Sequence, residues 1–161
     1  MRVTLIRHGE AEDHAPTDSE RALTKRGRSE ARRVGRALAR HGVHFRAIVT
    51  SPLIRAVQTA EIVAAAMGSR EPIFVDRALV PDATPAGVRT LLRGLGDVSS
   101  VALVAHEPIL SGICAVLLGT VSFPALRKME AIRIRLEGGP DGPGRLRWRI
   151  DPASGKRRRN I

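Results

Sequence analysis

The sequence predicts a single α/β domain: a three-layer α/β/α sandwich around a mostly parallel sheet, with an antiparallel strand pair at its C-terminal end. Three observations carry this expectation. Short apolar runs alternate with longer stretches of helical periodicity up to about residue 118, which is the pattern of successive βαβ units. Residues 101–105 read Val-Ala-Leu-Val-Ala, an unbroken apolar run of the kind found in strands covered on both faces. Beyond residue 131 the apolar period falls to two, as in strands with a solvated side.

Each element follows from local signals. Residues 1–6 form an apolar strand that stops at Arg7, His8 and Gly9. Residues 10–20 are polar and interrupted by Pro16, so they read as a loop. A helix is predicted over 24–40, with Thr24 as its N-cap. It places Gly27, Ala31, Val34, Leu38 and His41 on one face and Arg26, Arg28, Arg32, Arg33, Arg36 and Arg40 elsewhere, as in a surface helix with a basic outer side. Gly42 ends it. A second strand is expected over 45–50. Ser51 and Pro52 then supply an N-cap and a proline at the first helical position. The helix that follows carries Leu53, Val57, Ala60, Val63, Ala64 and Met67 on its apolar face and closes at Gly68. Residues 72–75 make a third strand. Thr84 and Pro85 repeat the cap-and-proline device before a helix over 85–93. The buried strand 101–105 leads through His106, Glu107 and Pro108 into a helix over 109–118. Finally, Ile132, Ile134 and Leu136 alternate with Arg133 and Arg135, and Leu146, Trp148 and Ile150 with Arg145, Arg147 and Arg149. A Gly/Pro-rich turn over 138–144 joins these two strands, whose arginines are expected on an outer face that protects a sheet edge. No repeat or linker divides the chain.

Composition narrows the class. A chain of 161 residues, 43% apolar, can bury a full core, and no apolar run is long enough to cross a membrane. Arg7 and His8 interrupt any apolar segment that could serve as a signal peptide. The single cysteine, Cys114, leaves no internal disulfide and fits a reducing compartment, so a cytoplasmic location is expected. Cys114 reads as an inert packing residue. The net charge of +11 favours anionic partners, whether phosphoprotein, nucleotide, polyphosphate or nucleic acid. Only 2% of residues are aromatic and none is tyrosine, which argues against a stacking platform for single-stranded nucleic acid. The basic tail with Lys156, Arg157, Arg158 and Arg159 reads as a solvated, disordered end.

Three strand ends carry unexpected chemistry: Arg7 and His8 after the first, Thr50, Ser51 and Pro52 with Arg55 after the second, and His106 after the buried run. If these strands are parallel neighbours, their carboxyl ends converge at one sheet edge, where α/β proteins bind ligands. Arg55 would lie in the first turn of its helix, where free N–H groups and the helix dipole favour an anion. Gly9 would allow close approach of a ligand. Two guanidinium forks and two imidazoles suit a dianionic phosphate, with His8 as a nucleophile able to take the phosphoryl group. Taken singly, each residue has a plainer reading: surface arginines, a strand-end histidine, a core histidine. His14, His41 and His44 read as surface residues. A zinc site finds no ligand spacing, so no metal is expected.

The segments Leu5-Ile6-Arg7-His8-Gly9-Glu10, Leu23-Thr24-Lys25-Arg26-Gly27, Thr50-Ser51-Pro52-Leu53-Ile54-Arg55-Ala56-Val57-Gln58-Thr59-Ala60 and Val104-Ala105-His106 together resemble the histidine phosphatase (phosphoglycerate mutase-like) superfamily. The short chain, with no long insertion between Asp76 and Ser99, looks most like its small SixA-type phosphohistidine phosphatase branch. The resemblance implies a histidine phosphatase domain over residues 1–152 followed by the basic tail, 153–161. It implies a transient phosphohistidine on His8 and a phosphate pocket of Arg7, Arg55 and His106. It implies neither metal nor cofactor, and a phosphorylated protein or small phosphorylated molecule as substrate. A carboxylate, hydroxyl or carbonyl should orient the far nitrogen of His8. Many members carry an acid after the third strand. Here Asp82 is available but offset from the position it has in mutase-like members. Two other readings stay open: a small-molecule phosphomonoesterase or mutase, which needs a larger cap, and a non-catalytic phosphate- or nucleic-acid-binding protein.

Overall fold

In the computed structural model, which describes residues 1–159, strands and helices alternate through most of the chain. They run β1 (Arg2–Arg7), α1 (Lys25–Arg40), β2 (Ala47–Thr50), α2 (Ile54–Met67), β3 (Ile73–Val75), α3 (Gly87–Gly94), β4 (Ser100–Ala105), α4 (Ile109–Leu118), β5 (Ala131–Leu136), β6 (Gly144–Ile150) and β7 (Arg157–Arg159). All belong to one sheet or pack against it. The strand order is β3-β2-β4-β1-β5-β6-β7, with β1 to β4 mutually parallel and β5, β6 and β7 joined antiparallel. The expected sandwich is therefore present.

Two apolar layers hold it together. On one face Ile6, Ile48, Ala102 and Val104 pack with Val34 and Leu38 of α1 and Ala60 and Val63 of α2. On the other, Val3, Leu5, Val101 and Leu103 pack with Leu92 of α3 and with Leu110 and Ile113 of α4. All six residues of β4 are buried, as its continuous apolar run predicts. Strand β1 is followed by a helix on the first face and its neighbour β4 by one on the second. The carboxyl ends of β1 and β4 thus flank a topological switch point, the place where such sheets open a crevice.

Thr24 caps α1 as expected, its Oγ1 accepting from the Gly27 N–H at 3.0 Å. The next two helix starts differ from expectation. Helix α2 begins at Ile54, and no side chain caps it; Ser51 is engaged elsewhere. Helix α3 begins at Gly87, because Thr84 to Gly87 close a turn with the Gly87 N–H on the Thr84 carbonyl at 2.9 Å. Pro85 occupies the second position of that turn, where its fixed φ is well suited.

The C-terminal strands depart further. Arg133 does not face solvent. It is 8% exposed, donates to Thr4 Oγ1 at 3.0 Å and Ser100 Oγ at 3.1 Å, and lies 5.3 Å from the Trp148 ring centre. The neighbouring strands cover it through Thr4, Ser100 and Trp148, whereas Arg135, two residues on, is exposed as the alternation predicts. Held by hydroxyls and a ring, with no carboxylate partner among the described residues, Arg133 is pushed down to about 10 by burial. The stretch expected to be a free tail adds a third antiparallel strand, with Arg157 opposite Ile150 and Arg159 opposite Trp148. Asp151 closes the intervening loop by accepting from the Ala153 and Ser154 N–H groups. The last two residues of the tail lie outside the described residues.

Helix α1 is charged against its own stability. Arg28 and Arg32, Arg32 and Arg36, and Arg36 and Arg40 are like-charged neighbours four residues apart, each pair costing roughly 0.2–0.5 kcal/mol. Its first turn carries Lys25 and Arg26 and no acid, contrary to the helix dipole.

Candidate active site

Three strand ends are tied together by their own backbones. The His8 N–H donates to the Ala105 carbonyl at 3.0 Å, and the Ser51 N–H to Val104 at 3.0 Å. This brings Arg7, His8, Ser51 and His106 to one edge, with the rings of His8 and His106 4.9 Å apart. Thr59 locks α2 onto the same point. Its Oγ1 accepts from the Gly9 N–H at 3.2 Å and donates to the Arg55 carbonyl at 2.7 Å. Gly9 proves to be needed for packing: a Cβ there would stand 3.0 Å from the Gly27 carbonyl oxygen, and one on Gly27 only 2.2 Å from that of Glu10. The N-terminus of α1 thus lies directly on the turn after His8.

His8 is 8% exposed, and its Nδ1 donates to the Gly9 carbonyl at 2.6 Å. That bond fixes the ring proton on Nδ1 and leaves Nε2 with a free lone pair. Burial, opposed by the Gly9 bond and reinforced by Arg55, Arg7 and Lys128, pushes His8 down to about 4. The orienting group that sequence reasoning expected is therefore a backbone carbonyl.

Arg7 donates from Nη1 to the Leu126 carbonyl at 2.6 Å. The Leu126 N–H in turn donates to the Glu107 carboxylate at 2.8 Å, so the residue after His106 steadies the loop that holds Arg7. Arg55, 5% exposed, donates to the Asp18 carbonyl at 2.8 Å and its carboxylate at 3.1 Å. Asp18 belongs to the loop before α1, and Arg21 and then Arg55 hold its carboxyl below the usual range. Two buried nitrogens have no hydrogen-bond partner among the described residues: Arg7 Nε and His106 Nδ1. A buried polar group left so costs about 1–3 kcal/mol, and a phosphate oxygen would satisfy either.

Ser51 is the site residue that its sequence context concealed. It is fully buried, and its Oγ lies 2.8 Å from His106 Nε2 while accepting weakly from the Leu53 N–H at 3.4 Å. Among the described residues His106 Nε2 is the one acceptor that the buried Ser51 hydroxyl proton reaches, so the hydroxyl donates to it, which places the His106 ring proton on Nδ1. Burial first, and the neighbouring His8 and Arg55 next, push His106 down to about 3. His106 is thus a neutral donor at the edge of the sheet. Ser51→Ala is expected to lower kcat/KM by roughly 5- to 30-fold, the effect of about 1–2 kcal/mol, without unfolding the chain. Unchanged kcat/KM in a folded Ser51→Ala protein would show that Ser51 does not set the His106 tautomer.

The two depressed histidines also fix a pH dependence. Between about pH 6.5 and 4 the unfolded chain takes up protons that native His8 and His106 refuse, so stability must fall as pH falls through that window. A drop from 6.5 to about 4 at His8 alone corresponds to about 3 kcal/mol. The urea midpoint should decline steadily from about pH 7 to 4.5. A flat profile would mean that the histidines accept protons in the folded state.

Asp82 forms no hydrogen bond or ion pair with Arg7, His8, Arg55 or His106. It is exposed in the turn before α3. Among the described residues no group of three or more His, Cys, Asp or Glu side chains is arranged to hold a metal ion. Cys114 is buried in α4, and burial pushes its thiol up. No helix of the described residues is long and apolar enough to cross a membrane.

Comparisons with known proteins bear on the family and the fold. The family model described as histidine phosphatase superfamily (branch 1) matches residues 3–80. The phosphohistidine phosphatase SixA of Escherichia coli is 29% identical over 160 residues, covering 96% of each chain. A solved structure of the protein histidine phosphatase SixA complexed with tungstate superposes with a TM-score of 0.89 and 28% identity, covering 97% of this chain and all of that one. An uncharacterised protein of Picosynechococcus is 44% identical over 77 residues, a match that spans 46% of this chain and about half, 47%, of that protein.

Proposed function

Since the chain belongs to the histidine phosphatase superfamily, we propose that it hydrolyses phosphohistidine in proteins, passing the phosphoryl group through its own His8. The observation that carries this reading is the state of His8: proton held on Nδ1 by the Gly9 carbonyl, Nε2 unprotonated, two arginines and a second histidine alongside. The name and full-length similarity of the Escherichia coli relative support the substrate class.

The reaction is a double displacement. His8 Nε2 attacks phosphorus in line as the bond to the substrate nitrogen breaks, and that imidazole, protonated on its ring, leaves neutral. Water then adds to phosphorus, the His8–phosphorus bond breaks, and orthophosphate departs. Charge on the phosphoryl oxygens is met by Arg7, Arg55 and the His106 Nδ1–H, so the catalysis is chiefly electrostatic preorganisation. No step calls for a metal or cofactor. A cytoplasmic setting completes the proposal, in keeping with the single buried Cys114.

Asp82 bears on the choice of substrate. An alkoxide leaving group is strongly basic, on the scale of water with its pKa of about 15.7, and needs an acid to protonate it. Imidazolium has a pKa of only about 6.5, so imidazole leaves without one. A pocket lacking a placed acid favours phosphohistidine over alkyl phosphates, and Asp82→Asn should leave phosphohistidine turnover unchanged. The test is kcat/KM of wild type and Asp82→Asn on a histidine-phosphorylated protein and on an alkyl phosphate. If Asp82→Asn lowered both alike, Asp82 would be a general acid and the small-molecule phosphomonoesterase reading would move ahead.

A further inference from the structure

The chemistry above makes no use of the basic outer face of α1, nor of the groove beside it. That groove, about 890 Å³, starts at Glu10, two residues beyond His8, and is walled by Lys25, Arg26, Arg33, Arg127 and Lys128. Lys128 is near enough for its charge to help keep His8 unprotonated. Through Ser29 and Arg33 the groove runs into a shallow depression of about 380 Å³, whose other walls are Arg32, Arg36 and Arg40. A continuous basic track therefore leads from the mouth of the active site along the whole of α1. Its length is about 24 Å for a helix of 16 residues.

We infer that this track, the outer face of α1 with the groove joining it to the active site, docks an acidic surface of the phosphorylated protein. The inference rests on the phosphatase reading. Three observations favour it. Among the described basic residues of α1 only Arg26 forms an ion pair, with Glu30 at 3.0 Å and Glu10 at 3.9 Å, so Arg28, Arg32, Arg36 and Arg40 keep their full charge for a partner. Like charges four residues apart and basic residues in the first turn weaken the helix, so folding does not account for the pattern. The track ends at Glu10 and Lys128, beside His8, so a protein bound along it is held next to the nucleophile. The charge is also mixed near the site: Glu10 and Glu30 line the groove among the cations. Separate carboxylates on a protein surface can be matched around those acids, whereas the unbroken phosphate track of a nucleic acid would be repelled by them.

The test uses the combined variant Arg28→Gln, Arg32→Gln, Arg36→Gln, whose side chains lie outside the phosphate pocket. Wild type and variant are assayed on free phosphohistidine and on an acidic protein phosphorylated on histidine, over a range of salt. The unphosphorylated acidic protein and a DNA duplex are titrated as binding partners. In the variant, kcat/KM on the acidic protein should fall about 10- to 100-fold at low salt and lose most of its salt dependence. Turnover of free phosphohistidine should not change, and the melting temperature should not fall, since helix repulsion is relieved. Equal kcat/KM on the acidic protein would overturn the inference. So would equal losses on both substrates, or tighter binding of the duplex than of the acidic protein. If wild type failed on both phosphorylated substrates, the phosphatase reading would fall, and docking would still be decided by whether the acidic protein binds wild type more tightly than the variant.

Discussion

Replacing His8 by alanine is expected to reduce turnover by on the order of 10⁴–10⁶-fold, the scale seen when covalent catalysis loses its nucleophile. The size of the effect follows from what His8 alone supplies. Its Nδ1 proton is committed to the Gly9 carbonyl at 2.6 Å, and its pKa of about 4 keeps Nε2 unprotonated throughout the neutral range. No second group can substitute. His106 has its Nε2 facing the Ser51 hydroxyl at 2.8 Å and its proton on Nδ1, so it presents a donor where attack requires a lone pair. The fold should survive, because β1 is fixed to β4 and β5 through its backbone and His8 contributes one local side-chain bond. His8→Ala should also flatten part of the acid dependence of stability, a readout independent of catalysis. Steady-state rates and urea unfolding on the same preparation check both. Turnover within tenfold of wild type in a folded His8→Ala protein would remove His8 from the mechanism.

Arg55→Lys should cost nearly as much as Arg55→Ala, and Arg7→Ala should do comparable damage. Truncating one partner of a buried, charge-assisted contact costs about 2–5 kcal/mol, or roughly 30- to several-thousand-fold in rate. Lysine keeps the charge and loses the planar fork. Here the fork is in use: Nη1 and Nη2 of Arg55 both engage Asp18, on its carbonyl and its carboxylate, from a side chain 5% exposed. An ammonium at the end of a flexible stem cannot hold both contacts and face a phosphate as well. For Arg7 the loss would include the bond to the Leu126 carbonyl and with it the loop braced by Glu107. The measurement is kcat/KM with the fold checked by circular dichroism. Near-normal kcat/KM in Arg55→Lys would place Arg55 outside the phosphate pocket.

Much of this was legible in the sequence because it depends on strand ends. The apolar runs that end at Arg7, Thr50 and Ala105 mark three buried strands, and buried parallel strands bring their carboxyl ends together. What could not be read depends on contacts between distant residues or on backbone atoms. Ser51 before Pro52 looks like a helix cap, and nothing local reveals that its hydroxyl faces a histidine 55 positions away. The carbonyl of Gly9 has no sequence signature, so the orienting partner of His8 was legible only as a class. Asp18 lies in a polar loop whose path to Arg55 depends on how α1 and α2 pack. The burial of Arg133 is not legible because alternation sets its face but not the Thr4, Ser100 and Trp148 contacts that cover it there, while Arg135 is exposed as alternation predicts. The arginines of the tail are solvated at Arg158 and Arg159, as their run predicts, but the edge pairing of β7 is not legible, because it needs only backbone groups and a free strand beside it.

The measurement that bears most directly on the central claim is the identity of the phosphorylated residue during turnover. The enzyme would be mixed with a protein carrying labelled phosphohistidine, quenched rapidly without acid, and the labelled peptide sequenced. The account predicts label on His8, stable in alkali and lost in acid, rising and decaying at rates that match turnover and absent from His8→Ala. Label on any other residue, or full turnover with no labelled enzyme at any time, would contradict it.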